Sequence, residues 1–305
     1  RFSSCGTGVS GCDYAVTFDA GALQRPLCEP SAAHLERVTI DLCWSRYNDT
    51  ADDYDRVMAP HFFDPVAAHL VSLLPLHRGQ RLLDVACGTG AVADAALQQL
   101  DELCVVGMDL SLPMMLHAKH RGIRRLVAAN VLDLPFAARF DHVTASFVLN
   151  HMDDCASAVD KMTRALHSNG TIGLTSWAIG PSENVVGMAW SEVAANYVSS
   201  EQLRAAKHRA LPNEDYLHSL DELSAILRRG GLRICRSEQV DFTTNMTTAD
   251  YSISLSSSLS GRFVQSSVSP AKWREFRSIA ITDLTRRFGD KVQIGTAANF
   301  AIASR

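Results

Sequence analysis

Arg81-Leu82-Leu83-Asp84-Val85-Ala86-Cys87-Gly88-Thr89-Gly90 decides the fold: an apolar strand carries a carboxylate, then turns through two glycines into the helical pattern Ala91 to Leu100. Backbone that passes close beneath a ligand needs glycine, because a Cβ would collide with the ligand or forbid the turn. Gly88 and Gly90 are therefore expected to floor a ligand site.

Glycine spacing alone leaves two ligand classes open. Gly88-x-Gly90-x-x-Ala93 also fits a dinucleotide fingerprint, and Asp109, closing the apolar run Leu103 to Met108, suits a ribose in either case. Asp84 separates them on electrostatic grounds. A dinucleotide would bring its anionic pyrophosphate to the helix N-terminus beside this carboxylate, and two negative groups in a dry cleft repel by kilocalories. A ligand with an amino group and a sulfonium is attracted instead, which favours S-adenosylmethionine (SAM) over NAD.

Further segments extend the pattern in order: Val106-Gly107-Met108-Asp109-Leu110-Ser111, then Asn130-Val131-Leu132-Asp133-Leu134-Pro135-Phe136. Phe140-Asp141-His142-Val143 through Phe147-Val148-Leu149-Asn150-His151 and Asn169-Gly170-Thr171 follow. With these the chain resembles the class I SAM-dependent methyltransferases, specifically the small-molecule enzymes of methyltransferase type 11 related to the ubiquinone and menaquinone biosynthesis C-methyltransferases. The resemblance covers roughly Trp44 to Trp177. It departs from the family at Ala86, where a glycine is usual, and at Asn130, which replaces an acid but can still accept from an adenine amino group.

The resemblance implies an α/β fold: a doubly wound, seven-stranded, mostly parallel sheet of order 3-2-1-4-5-7-6, its last strand antiparallel, with a helical arm and helical cap inserts. It also implies SAM as cofactor. Asp84 and the turn Ala86, Cys87, Gly88, Thr89 and Gly90 would face the methionine moiety; Asp109 with Leu110 would take the ribose; Asn130, Val131 and Leu132 would read adenine. Phe147 would border the methyl group and Tyr54 on the arm would cover the cofactor, with Trp44 a weaker candidate for that cover. His151 is the catalytic candidate, a histidine beside the transferred methyl with an ordinary pKa of about 6.5. His208 and His218, in the first insert, are alternative bases, whereas His142 lies within a strand and reads as structural.

Composition agrees with a globular enzyme. The 305 residues are 47% hydrophobic, enough for a full core, and the net charge of -4 comes without a basic stripe, which argues against nucleic acid. Eight cysteines lie scattered with no Cys-x-x-Cys pair, so free buried thiols, no metal site and a reducing, cytoplasmic setting are expected. No apolar stretch approaches the ~20 residues that cross a bilayer. The chain does not begin with Met, so an organelle signal is not excluded.

Along the chain, residues 1–30 read as a poorly structured segment and 31–305 as the methyltransferase domain. Ser31 to Leu76 shows helical recurrence. Strands near 81–86, 103–108, 124–129, 140–147 and 171–177 then alternate with helices near 91–100, 111–121 and 153–167, a parallel-sheet rhythm. Cap inserts are expected at about 178–218 and 242–272. Ser219-Leu220-Asp221-Glu222 starts a helix that Gly230-Gly231 closes, a sixth strand spans Leu232 to Val240, and Ser269-Pro270 begins a helix with Trp273, Phe276, Ala280, Leu284 and Phe288 on one face. Val292 to Ala303 reads as the closing strand. The expected reaction is methyl transfer from SAM to a small, partly apolar acceptor, with an RNA or protein methyltransferase, or a SAM-binding fold with a non-methylating role, as alternatives. Transfer to carbon, oxygen or nitrogen, and the oligomeric state, are not set by the sequence.

Overall fold

In a computed structural model, which describes residues 47–181 and 183–305, the apolar runs form β1 (Arg81–Val85), β2 (Cys104–Asp109), β3 (Leu126–Ala128), β4 (Phe140–Ser146), β5 (Leu166–Ala178), β6 (Arg233–Thr247) and β7 (Lys291–Ser304). They make one sheet of order β3-β2-β1-β4-β5-β7-β6. β1 to β5 are parallel, and β7 runs antiparallel to both β5 and β6. The expected topology is thus observed.

Alternation along each strand sends neighbouring residues to opposite faces. On β1, Leu82 joins one core with Val66, Leu70, Ala93, Met115 and Phe300, while Leu83 joins another with Val143, Val159, Met162, Leu223 and Leu227. The first face is covered by α1 (Asp64–Ser72), α2 (Ala91–Gln99) and α3 (Leu112–His120). The second is covered by α4 (Cys155–Ala165), and by a helix further along. α4 stops at Ala165, two residues earlier than expected, because β5 already begins at Leu166, which pairs with Phe140.

The first insert holds α5 (Val185–Ala194), α6 (Ser200–Ala210) and α7 (Glu214–Leu217) before α8 (Leu220–Arg229), the second helix on the Leu83 face. The Ser219 hydroxyl accepts the Glu222 N–H at the α8 N-terminus, and Gly231 turns the chain out with φ +76. Leu223, Ile226 and Leu227, at i, i+3 and i+4, are all buried there, each contributing about 1.5–3 kcal/mol.

The second insert is displaced from its expected position. β6 continues through Phe242 and Met246 to Thr247, whose register partner is Lys291, so the insert begins at Thr248. The period-two alternation simply runs on past Val240. The insert comprises α9 (Thr248–Ser257), α10 (Leu259–Ser267) and α11 (Pro270–Phe288). Its serine-rich run is helical and buried: the Ser254 and Ser256 hydroxyls donate to the Tyr251 and Ser252 carbonyls of the preceding turn. Satisfied in this way, small hydroxyl side chains let a helix pack closely. Phe276, Ala280 and Leu284 meet Trp190, Val193, Val264, Val292 and Ile294 in a third core beneath the cap.

The arm winds from Asn48 through Tyr54–Phe63 as a π-helix containing Pro60, then enters α1. Ion pairs dock it on α3: Arg121 reaches Asp55 and Asp64, both at 2.8 Å, and His117 reaches Asp52 at 2.8 Å. Among the described residues no helix is long and apolar enough to cross a membrane, and no cluster of His, Cys, Asp and Glu suits a metal ion. Cys87, Cys155 and Cys235 are free thiols; Cys104 is disulfide-bonded, which corrects the expectation of free thiols at that position. Cys5, Cys12, Cys28, Cys43, Trp44 and the segment 1–30 lie outside the described residues.

Candidate active site

The carboxyl ends of β1, β2 and β3 carry one half of the site. Asp84 is buried; Thr144 Oγ1 donates to its Oδ1 at 2.9 Å, while Oδ2 receives no donor from the described residues. Burial raises its pKa to about 7, against hydrogen bonds from Thr144 and the Ala93 backbone. Ionising a buried carboxylate with one oxygen short of a donor is costly, and a cation would relieve it.

The turn after β1 divides its work among its residues. Ala86 takes φ +54, a left-handed conformation that glycine adopts freely and alanine does not. Cys87 is buried with its Sγ against Gly107 of β2, and Thr89 is buried as well. Gly88, at φ +54, has open space where a Cβ would stand. Gly90, at φ +90, has Ala118 Cβ only 3.1 Å from that point, so its small size serves the packing of the turn on α3. The two glycines thus differ: open space lies beside Gly88, whereas Gly90 is needed for packing.

Asp109 closes β2. Its Oδ2 accepts the Gly88 N–H and its Oδ1 the Ser111 N–H, each at 2.8 Å, leaving further lone pairs for hydroxyl donors. Burial raises its pKa, opposed by those backbone bonds. It does not cap α3; Ser111 does so through the Met114 N–H. Leu110, 71% exposed, and Leu132, 38% exposed, present apolar side chains near the ends of the paired strands β2 and β3, a setting suited to a flat ring. Asn130 Oδ1 accepts the Leu132 N–H at 3.0 Å, so one of its lone pairs is already used, and Val131 is buried.

The other half is aromatic. Phe147, just beyond β4, takes φ +55, a strained conformation for a bulky residue, and stacks on Trp177 with ring centroids 4.1 Å apart. Phe63 of the arm meets both rings, Tyr54 stacks on Phe63 at 4.7 Å, and Tyr47 stands edge-on to Tyr54. Tyr47 Oη lies 3.3 Å from His151 Nε2. Arg262 of α10, 4% exposed, places its guanidinium carbon 4.0 Å from the Tyr47 ring centroid.

His151 departs from its expected pKa. Burial, then the Arg262 charge, lower it to about 4, against a hydrogen bond with the Ala210 backbone. The ring is neutral at pH 7, with one N–H and one lone pair. A carbonyl can only accept, so Ala210 takes the ring N–H and the Tyr47 hydroxyl is the group placed to donate at Nε2. His208 is exposed on α6, and the His218 carbonyl accepts from Asn299. His142 is structural as expected, held by Thr171 and Gln80 at 2.6 and 2.8 Å.

Comparison with known proteins meets this geometry. Residues 83–174 match the methyltransferase domain family. That segment is similar to the class I SAM-dependent methyltransferases. Nocamycin O-methyltransferase of Saccharothrix syringae is 33% identical over 162 residues, 48% of this chain and 57% of that protein. Aklanonic acid methyltransferase of a Streptomyces species is 30% identical over 139 residues, 43% of this chain and 62% of that protein. The matched part thus spans less than two thirds of either relative. Phosphoethanolamine N-methyltransferase 2 of Haemonchus contortus shares the fold, with a TM-score of 0.52 at 20% identity over 87% of this chain and 59% of that structure.

Sequence reasoning singled out Asp84, Gly88, Asp109, Phe147 and Tyr54; of these Asp109 holds Gly88, and Tyr54 and Phe147 both meet Phe63. It missed Tyr47, Phe63, Trp177 and Arg262. Phe63 lies nine residues after Tyr54, off a simple α-helical face, and only the π-helical winding brings the two rings together. Arg262 sits in an insert whose path periodicity does not reveal.

Proposed function

We propose that the protein transfers a methyl group from SAM to a small, partly apolar acceptor. The observation that carries this reading is the buried Asp84 Oδ2, without a donor among the described residues and one turn from Gly88, whose missing Cβ leaves open space. That pair fits a cationic ligand lying against backbone. When bound, SAM would supply a methyl carbon made electrophilic by its sulfonium. Asp84 would hold the amino acid end, Asp109 the ribose hydroxyls, and Leu110, Asn130, Val131 and Leu132 the adenine.

The protein's further task is to align the acceptor and exclude water. Phe147, Trp177, Phe63 and Tyr54 form an apolar wall suited to a flat or partly apolar molecule, and the cap helices bring further side chains over it. His151 is the residue to receive a proton where the acceptor must lose one, acting through the Tyr47 hydroxyl. The names of the relatives, nocamycin O-methyltransferase and aklanonic acid methyltransferase, support a small-molecule acceptor, and the first supports transfer to oxygen. An intracellular cofactor goes with a cytoplasmic setting.

Calorimetry with SAM and with NAD tests the cofactor, and release of the demethylated product in the presence of phenols, carboxylic acids, quinones and amines tests the reaction. Binding of SAM with product release only when a small acceptor is added is expected. Binding of NAD without SAM, or methyl incorporation only into RNA or protein, would overturn the reading.

A further inference from the structure

Asp84 shares its row of the sheet with two glycines and one hydroxyl. Its register partners are Gly107 of β2 and Thr144 of β4, and Thr144 is in turn paired with Gly173 of β5. A Cβ at Gly107 would meet Cys87 Sγ and Leu126 Cδ2, each at 2.9 Å, and one at Gly173 would meet Leu70, Ile302 and Leu74. The row is therefore closed on both flanks by thiol and aliphatic groups. Thr144 is fully buried, and its Oγ1 donates to Asp84 Oδ1 at 2.9 Å, with a longer approach of 3.4 Å to the Leu83 carbonyl. Among the described residues it is the one side chain that hydrogen-bonds to Asp84.

From this arrangement, and on the methyltransferase reading above, we infer that Thr144 is a positioning residue of the cofactor site: by holding Asp84 Oδ1 it favours the ionised carboxyl group and leaves Oδ2 for the cationic end of SAM.

A hydroxyl that donates to a carboxyl group stabilises its charged form, whereas burial stabilises the neutral one. At Asp84 burial is the larger effect, and the Thr144 hydrogen bond is the strongest of those that oppose it, ahead of the Ala93 N–H in the first turn of α2. The charge of Asp109 on β2 works with burial. Cys87, in the turn, brings no further charge, since burial and then the Asp84 and Asp109 charges push its thiol well above the ordinary range.

Near pH 7 the free protein thus holds Asp84 between its two forms. A cationic ligand draws it to the ionised one, and a proton leaves. Without the Thr144 hydroxyl the balance moves toward the neutral acid, which attracts a cation less, and Oδ1 loses its tether.

Titration of SAM by calorimetry from about pH 6 to about pH 9 tests this for wild type, Thr144→Val, Thr144→Ala and Thr144→Ser. NMR of the Asp84 carboxyl carbon, assigned through Asp84→Asn, follows its titration in each ligand-free protein. Both variants without a hydroxyl are expected to bind SAM about tenfold or more weakly at pH 7, with a deficit that shrinks toward pH 9, and their Asp84 should titrate at higher pH than in wild type. Thr144→Ser should restore both properties. The amino group of SAM, of a kind that titrates near pH ~8, changes alike for every variant and cancels in the comparison. Wild-type affinity in the hydroxyl-free variants overturns the inference, as does a deficit equal at every pH that serine does not repair, which marks packing alone. A wild-type Asp84 that titrates near its ordinary 3.8 also overturns it, and that result needs no variant to fold. Wild type that binds no SAM at any pH marks failure of the methyltransferase reading and takes the role of Thr144 with it; SAM binding indifferent to Thr144 marks failure of that role alone.

Discussion

Asp109 holds Gly88: the carboxylate Oδ2 accepts the glycine N–H at 2.8 Å, while the other oxygen takes the Ser111 N–H at the same distance. One side chain thus ties the turn after β1 to the start of α3, and any ribose it binds is fixed relative to both. Asp109→Ala is expected to weaken SAM binding by about 1–3 kcal/mol and to lower stability as well, since a backbone donor loses its partner. Calorimetry and denaturant unfolding check the two effects. Weakened binding with unchanged stability would show that the tie to Gly88 is not part of the fold's support.

The two glycines of the turn should respond differently to alanine. Gly88→Ala adds a Cβ in open space at a positive φ, so its stability cost is about 1–2 kcal/mol of backbone strain while cofactor affinity falls sharply. Gly90→Ala meets Ala118 at 3.1 Å in addition to its strained φ of +90, so it should destabilise the protein more. Unfolding and SAM titration of the pair check this ordering. Equal stability losses would remove the distinction between ligand floor and packing contact.

Asp84 should trade stability for function. Its folded pKa of about 7 stands above the ordinary 3.8, so the folded state holds the proton more tightly and this contribution to stability is lost as pH rises toward and through 7. Asp84→Asn removes that loss. The free variant should be more stable than wild type at pH 8, by on the order of 1 kcal/mol, yet bind SAM at least about tenfold more weakly. A less stable variant, or one with unchanged affinity, would contradict the reading of Asp84 as a cation holder.

His151 should leave no step near pH 6.5 in the rate profile, because its folded pKa is about 4. Between about 4 and 6.5 the unfolded chain binds a proton that the folded ring does not, so stability is lost as pH falls through that window. His142, also lowered to about 4 by burial, adds in the same direction. His151→Ala is expected to lower the rate by ~10²-fold with SAM affinity nearly unchanged, provided the acceptor must shed a proton. An inflection at pH 6.5 that vanishes in this variant would return His151 to an ordinary histidine.

The sheet was legible because its strands carry strong local patterns, with Leu82 and Leu83 facing opposite cores and Asp84, Gly88 and Gly90 marking the turn. The order with β7 inside came from resemblance, since no local signal in Val292 to Ala303 names its neighbours. The end of β6 was set too early, at Val240, although the alternation and the strand-favouring threonines at 243, 244 and 247 continue to Thr247, where pairing with β7 ends. Asp84 and Asp109 could be found because acids within apolar runs are conspicuous. Tyr47 and Arg262 could not, as their meeting depends on how an arm and an insert fold onto the sheet.

The position of β7 also sets the order in which the molecule can be finished. Among the described residues β6 has no neighbour in the sheet except β7, and β5 pairs on that side with β7 alone. On a ribosome, a nascent chain that has not yet reached Lys291 carries the β5 edge open and β6 unpaired, with Val292 and Ile294 missing from the cap's core. Completion of the sheet and of the cap beneath which an acceptor would lie therefore waits on one stretch, residues 291–304, and chaperone engagement should concentrate on chains stalled between residues 248 and 290.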